Sequence, residues 1–227
     1  MAITLAFDIY GTLIDTHGVT DQLRPQVGDQ APAFSQYWRD KQLEYTFRRG
    51  LMQQYQAFPV CTRQALDYTC QHFQAAIPEQ ERQALMEAYR TLPAFEDVST
   101  ALEQLQAAGI RLYAFSNGTA AAVNTLLEHA GIQRYFLDVV SVDEIQSFKP
   151  DPAVYKHFLL RTGSDAQESW LISSNPFDVI GSLAAGMHSA WVQRSPAAVY
   201  DPWEFTPTTT VTNLHELADY FQHLQPS

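Results

Sequence analysis

From about Val98 onward the chain switches repeatedly between helical stripes and short continuous apolar runs, and no other feature of its 227 residues restricts the fold as much. Val98, Leu102 and Leu105 share one helical face, closed by Gly109, a residue suited to the left-handed turn that ends a helix. IRLYAFSN then reads as a buried strand; Val123, Leu126, Leu127 and Ala130 form the next stripe, closed by Gly131 and followed by the strand DVVSV. Asp151 can cap a helix reaching Thr162, with Pro152 at its first position. SWLISSN, DVIGSLAAGMH and SAWVQ continue as strand, helix and strand. Strands separated by helices pair in parallel, so the pattern predicts an α/β fold, a parallel sheet covered on both faces.

The first strand, ITLAFD, is cut off from this series by a long stretch without a convincing strand. That stretch carries helical stripes: Phe34, Tyr37 and Trp38; Leu66, Cys70 and Phe73; Leu85, Met86, Tyr89 and Leu92. The predicted organisation is a core of residues 1–13 and 95–227, interrupted by a helical cap at 14–94 placed over the strand ends. Cys61 and Cys70 fall inside the helical stretch, spaced too widely for a C-x-x-C pair, and read as small buried side chains. The tail VTNLHELADYFQHL is an amphipathic ending.

An apolar content of 46% with 17% charged residues argues for a folded chain. The net charge of -11 argues against nucleic acid or an anionic membrane surface as partner. Any anionic substrate must therefore meet cations concentrated locally. There is no basic segment followed by an apolar run at the N-terminus, no run of membrane-spanning length, and too few cysteines for a disulfide framework, so the expected compartment is the cytoplasm.

Open parallel sheets bind ligands beyond the carboxyl ends of their strands. Polar residues collect there: Asp8 in FDIYGTL, Ser116-Asn117, Ser173-Ser174-Asn175, with Lys149 in QSFKPDP and Asp178 three places after Asn175. Singly, each has a plainer meaning. Asp8 could cap a turn, Asn175 and Asp178 could open a helix, Arg39 could be solvated, and Phe58, Phe177 and Tyr155 could be packing residues. His17, His129 and His188 show no metal-ligand spacing.

Taken in order, Asp8-x-Tyr10-Gly11-Thr12, Ser116-Asn117-Gly118, Lys149-Pro150 and Ser173-Ser174-Asn175-x-x-Asp178 resemble the four motifs of the haloacid dehalogenase superfamily. Most members are phosphatases with D-x-D in the first motif and paired acids in the last to hold Mg²⁺. Here Tyr10 replaces the second Asp and Ser174 stands where the last motif has an acid. The combination resembles the (S)-2-haloacid dehalogenase branch across the whole chain, a Rossmann-like core with a helical cap. A phosphatase must protonate an alkoxide and offset a dianion, hence its second acid and its metal. A halide leaves without a proton, and a Tyr offers the reacting carbon an apolar wall.

The resemblance implies that Asp8 attacks C2 of a 2-haloacid, displaces halide with inversion, and is freed from the ester by water. Asp178 is the implied base, helped by Lys149, Ser173 and Asn175. Lys149 should also hold Asp8 ionised, with Thr12 and Tyr155 as its orienting partners. Ser116 and the amides of Ile9 and Tyr10 look like the carboxylate site. FSQYWRDKQLEYT resembles the halide-binding helix, which makes Arg39 the clamp with Asn117 beside it. Phe58 and Phe177 would line the pocket, Phe177 where better-known members have Trp. No metal or organic cofactor is implied, and a homodimer is. A phosphatase with an unusual first motif and a silent relative are the competing readings.

Overall fold

The computed structural model describes residues 3–224. Six strands form one sheet: β1 (Thr4–Phe7), β2 (Arg111–Ser116), β3 (Asp138–Ser141), β4 (Ser169–Ser173), β5 (His188–Val192) and β6 (Thr209–Val211). All neighbours pair in parallel, in the order β3-β2-β1-β4-β5-β6. β1, β4 and most of β2 are buried on both faces, which is why these segments read as continuous apolar runs and not as alternations. Leu5, Phe7, Leu112, Ala114 and Ile172 enter one apolar cluster, while Ala6, Tyr113, Phe115 and Leu171 enter another, as the two-residue period of a strand requires.

The helices of this part are α5 (Val98–Ala107), α6 (Ala120–His129), α7 (Pro152–Thr162), α8 (Pro176–Ala184) and α9 (Leu214–Leu224). Asp151 caps α7 through Ala153 N at 2.9 Å, with Pro152 in its first turn, and Gly109 and Gly131 take positive φ after α5 and α6. α8 is shorter than its stripe predicts. It ends at Ala184, and His188 lies on β5, stacked on Trp170 at 4.9 Å. β6, a three-residue edge strand after a loop, carries no sequence signal of its own.

Four α-helices lie between β1 and α5: α1 (His17–Val27), α2 (Ala31–Met52), α3 (Phe58–His72) and α4 (Glu79–Ala88). The chain leaves and returns at one place. Ile14 bridges Ala94, Asp15 N donates to Pro93 O at 2.9 Å, and Phe95 N donates to Leu13 O at 3.0 Å. On α2, Phe34, Trp38, Gln42 and Thr46 recur every four residues and are buried. Trp38 Nε1 donates to Thr62 O of α3 at 2.9 Å, which locks the helix rotation and turns the adjacent Arg39 toward the sheet. Cys61 and Cys70 are free and buried on α3. No helix among the described residues is long and apolar enough to cross a membrane.

Candidate active site

The strand order reverses at β1, so the crevice between the ends of β1 and β4 is where a sheet of this kind binds its ligand. Asp8 follows β1 there, its amide donating to Ile172 O at 3.0 Å. Its two carboxylate oxygens are treated differently. Oδ2 accepts from Thr12 Oγ1 at 2.9 Å, Ser173 Oγ at 3.1 Å and Asn175 Nδ2 at 2.7 Å. Among the described residues, Oδ1 accepts only from Lys149 Nζ, at 3.3 Å. Three neutral donors hold Oδ2, while one long contact to the ammonium leaves lone pairs of Oδ1 available for attack.

Lys149 is buried among acceptors. Its ammonium also donates to Asp178 Oδ2 at 2.7 Å and Phe115 O at 2.9 Å, and lies 4.3 Å from the Phe115 ring centre. Burial opposes its charge, but Asp178 and Asp8 outweigh that and raise its pKa. The two carboxyls are driven apart. Burial pushes Asp8 upward, yet Lys149, the bonds from Thr12 and Asn175, and the charge of Arg39 hold it below its ordinary value. Burial lifts Asp178 to about 6 against the pull of Lys149, with the charge of Asp8 adding to the rise. Paired carboxyls separated in this way suit different roles.

Tyr155 is paired with Asp178 and not, as its expected role required, with Asp8: its hydroxyl donates to Asp178 Oδ1 at 2.7 Å. Gly181 on α8 makes this approach possible, since a Cβ there would overlap Tyr155 Oη and Pro150. Ser173 and Asn175 bond to Asp8, where the resemblance implies that they help Asp178. Asn175 occupies the N-cap position of α8 without a side-chain capping bond, because its amide is committed to Asp8 and Arg39. Asn117 Oδ1 accepts from Lys149 N at 2.9 Å and thereby fixes the lysine loop. Ser116 Oγ accepts from Gly118 N at 3.0 Å. The amides of Ile9 and Tyr10 meet no acceptor among the described residues.

Arg39 reaches over Gly11 and donates from Nη2 to Asn175 Oδ1 at 2.7 Å. It forms no ion pair among the described residues, so a largely enclosed cation stands without a carboxylate partner. Tyr10 faces Phe58 in a stacked pair at 6.4 Å. Phe177 packs edge-on against Phe47 at 5.2 Å and, with Lys149, Phe148 and Trp203, lines an apolar cleft of about 660 Å³. The motif reading assigned no role to several contributors. Ser174 Oγ donates to Gly11 O at 2.8 Å and its amide to Thr12 Oγ1 at 2.8 Å. Trp191 Nε1 donates to Ser174 O at 3.2 Å, and Arg194 donates to Thr12 O at 2.7 Å.

A family model described as haloacid dehalogenase-like hydrolase matches residues 4–186. The chain belongs to that family. It is similar to an (S)-2-haloacid dehalogenase of Pseudomonas sp. (strain YL), 34% identical over 218 residues, covering 96% of this chain and 94% of that one. It is also similar to haloacetate dehalogenase H-2 of Moraxella sp. (strain B), 36% identical over 91% of this chain and 92% of the other. Among solved structures, the L-2-haloacid dehalogenase of Xanthobacter autotrophicus with chloropropionic acid covalently bound superposes with a TM-score of 0.92 at 28% identity, covering 99% of this chain and 100% of that one.

Proposed function

We propose that this member of the family hydrolyses 2-haloacids of (S) configuration to (R)-2-hydroxyacids through an ester on Asp8, without a metal. The asymmetry of the Asp8 carboxylate carries the reading: three donors on Oδ2, and a single long contact from Lys149 on Oδ1. Oδ1 attacks C2, and the carbon–halogen bond breaks with its electron pair leaving as halide. Arg39, unpaired with any carboxylate, takes up the charge that develops on the halogen. The free amides of Ile9 and Tyr10, beside Ser116, suit the substrate carboxylate, and Tyr10 with Phe58 walls the carbon chain.

In the second step Asp178 takes a proton from water, and the hydroxide attacks Cγ of Asp8. Negative charge then appears on Oδ2, where Thr12, Ser173 and Asn175 already donate. The donors that hold the resting carboxylate thus become an oxyanion hole. Collapse breaks the Cγ–Oδ1 bond, the departing alkoxide takes the proton from Asp178, and Asp8, left with an oxygen from water, returns to the carboxylate by losing that oxygen's proton to solvent. Lys149 touches both carboxyls and keeps them within one ammonium's reach.

The reading makes helices α1–α4 a cap that supplies Arg39 and Phe58 to the sheet end, and it carries the expectation of a cytoplasmic homodimer. Exposed Met52, Val60 and Tyr68 on α2 and α3 support a self-association surface. The deciding experiment measures free chloride from racemic 2-chloropropionate in EDTA, with p-nitrophenyl phosphate and Mg²⁺ in parallel. Chloride release that stops at half the racemate and is lost in Asp8→Asn is expected. Phosphate release without chloride overturns the proposal in favour of a phosphatase, and neither product favours a silent relative.

A further inference from the structure

Two phenols in this region have no partner for their hydroxyls. Tyr155, Tyr113 and Tyr135 all hydrogen-bond through Oη, as enclosed tyrosines generally do. Tyr10 and Tyr89 do not, among the described residues, although both lie deep in the protein and retain some accessible surface, the combination expected of side chains lining an internal space. Tyr89 follows α4 directly. Its ring meets Tyr10 edge-on at 6.0 Å and Trp38 edge-on at 5.3 Å. Trp38 precedes Arg39 on α2 and is fixed by its bond to Thr62. The Tyr89 ring is thus clamped between the Asp8 loop and the Arg39 helix.

Burial raises the Tyr89 phenol to about 12, and the nearby charge of Arg39 acts against that rise. At neutral pH the group is therefore an O–H donor next to a guanidinium. We propose that Tyr89 is a specificity-determining residue whose hydroxyl hydrogen-bonds the halogen as it departs, sharing the developing halide charge with Arg39. This rests on the dehalogenase reading of the same site. No proton moves: the carbon–halogen electron pair leaves with the halide, and the O–H only solvates it. An interaction that strengthens as charge develops lowers the barrier, not merely KM, and its worth follows the acceptor strength of the halide, fluoride above chloride above bromide above iodide.

The test compares wild type with Tyr89→Phe on (S)-2-iodo-, bromo-, chloro- and fluoropropionate, reading the single-turnover burst of halide and the later release of hydroxyacid separately. The burst rate for chloride should fall roughly fivefold to tenfold, the scale of one neutral hydrogen bond, with less loss for bromide and least for iodide. Hydroxyacid release should not change, nor should the melting temperature, since the lost oxygen has no protein partner. An equal loss for every halogen, or none for chloride, overturns the inference while leaving the dehalogenase reading intact. Absence of any halide from wild type overturns the dehalogenase reading and the inference with it.

Discussion

Replacing Lys149 by Met tests how far one buried ammonium organises the whole site. The side chains of Lys149 and Asp178 are 2% and 1% exposed, and that of Asp8 is 13% exposed. Removing the cation leaves Asp178 as an uncompensated buried carboxylate beside a second acid, a change that costs about 3–5 kcal/mol. In a chain of this size each kcal/mol lowers the melting temperature by roughly 2–4 °C. The penalty must also depend on pH. Asp178 titrates near 6 with Lys149 present; without it the carboxyl stays protonated to higher pH, while the unfolded chain is already ionised. Between pH 6 and 8 the folded variant therefore binds more protons than its unfolded state, and its stability falls as pH rises. Over that interval the wild type, about half titrated at its start, loses far less through this group. The gap widens by up to about 1.4 kcal/mol per pH unit. Urea unfolding at pH 6 and pH 8 measures it, and Lys149→Met with Asp178→Asn should recover much of the loss at pH 8. A penalty equal at both pH values, or a double variant no more stable than the single one, refutes the reasoning.

Asp178→Asn removes the proposed base but not the nucleophile, so one equivalent of halide per chain should appear, with a mass increase of the protein matching the ester; continued turnover would remove Asp178 from the second step. In wild type, single-turnover hydroxyacid release should fall as pH drops through about 6, while the halide burst persists to lower pH because Asp8 is held below its usual value; parallel losses in both phases would contradict the assignment. Thr12→Val deletes one of three donors to Oδ2 and should slow ester hydrolysis by roughly 10²–10³-fold, more than it slows the burst. A single turnover in ¹⁸O-water followed by mass analysis should find label in Asp8 before any reaches product.

The ends of β1 to β5 were legible because burial leaves apolar runs, and the polar residues that end them stand out. Partnerships across the site were not. Ser173, Asn175, Tyr155 and Asp178 all converge on one crevice, but chain order says nothing of which donor meets which carboxyl. Tyr155 goes to Asp178 because Gly181 leaves it space, a property of α8 packed against α7 and not of either sequence. Tyr89 carried a signal that pointed the other way. It completes the stripe Leu85, Met86, Tyr89 and Leu92, so periodicity assigns it to packing; only its unpaired hydroxyl distinguishes it. Arg194, whose guanidinium holds Thr12 O and Asp97 Oδ2, lies beyond every motif on the loop after β5.

The two departures from the acidic pattern of the phosphatases are linked through the loop they share. At position 174 a hydroxyl can do what a carboxylate cannot: it donates to the carbonyl of Gly11 and lies 3.1 Å from Thr12 Oγ1. An acid there would face that carbonyl with no proton to give and would compete with Asp8 for Thr12. At position 10 a phenol adds no charge beside Asp8, whose partner Lys149 is already shared with Asp178. With those two acids absent, Asp8 and Asp178 are balanced in number by Lys149 and Arg39, and one monoanionic substrate can enter against free amides. Restoring either acid would upset that balance and call for a further cation. The phenol in the first motif and the hydroxyl in the last thus fit together with the proposed leaving group, which needs a cradle for its charge and no proton.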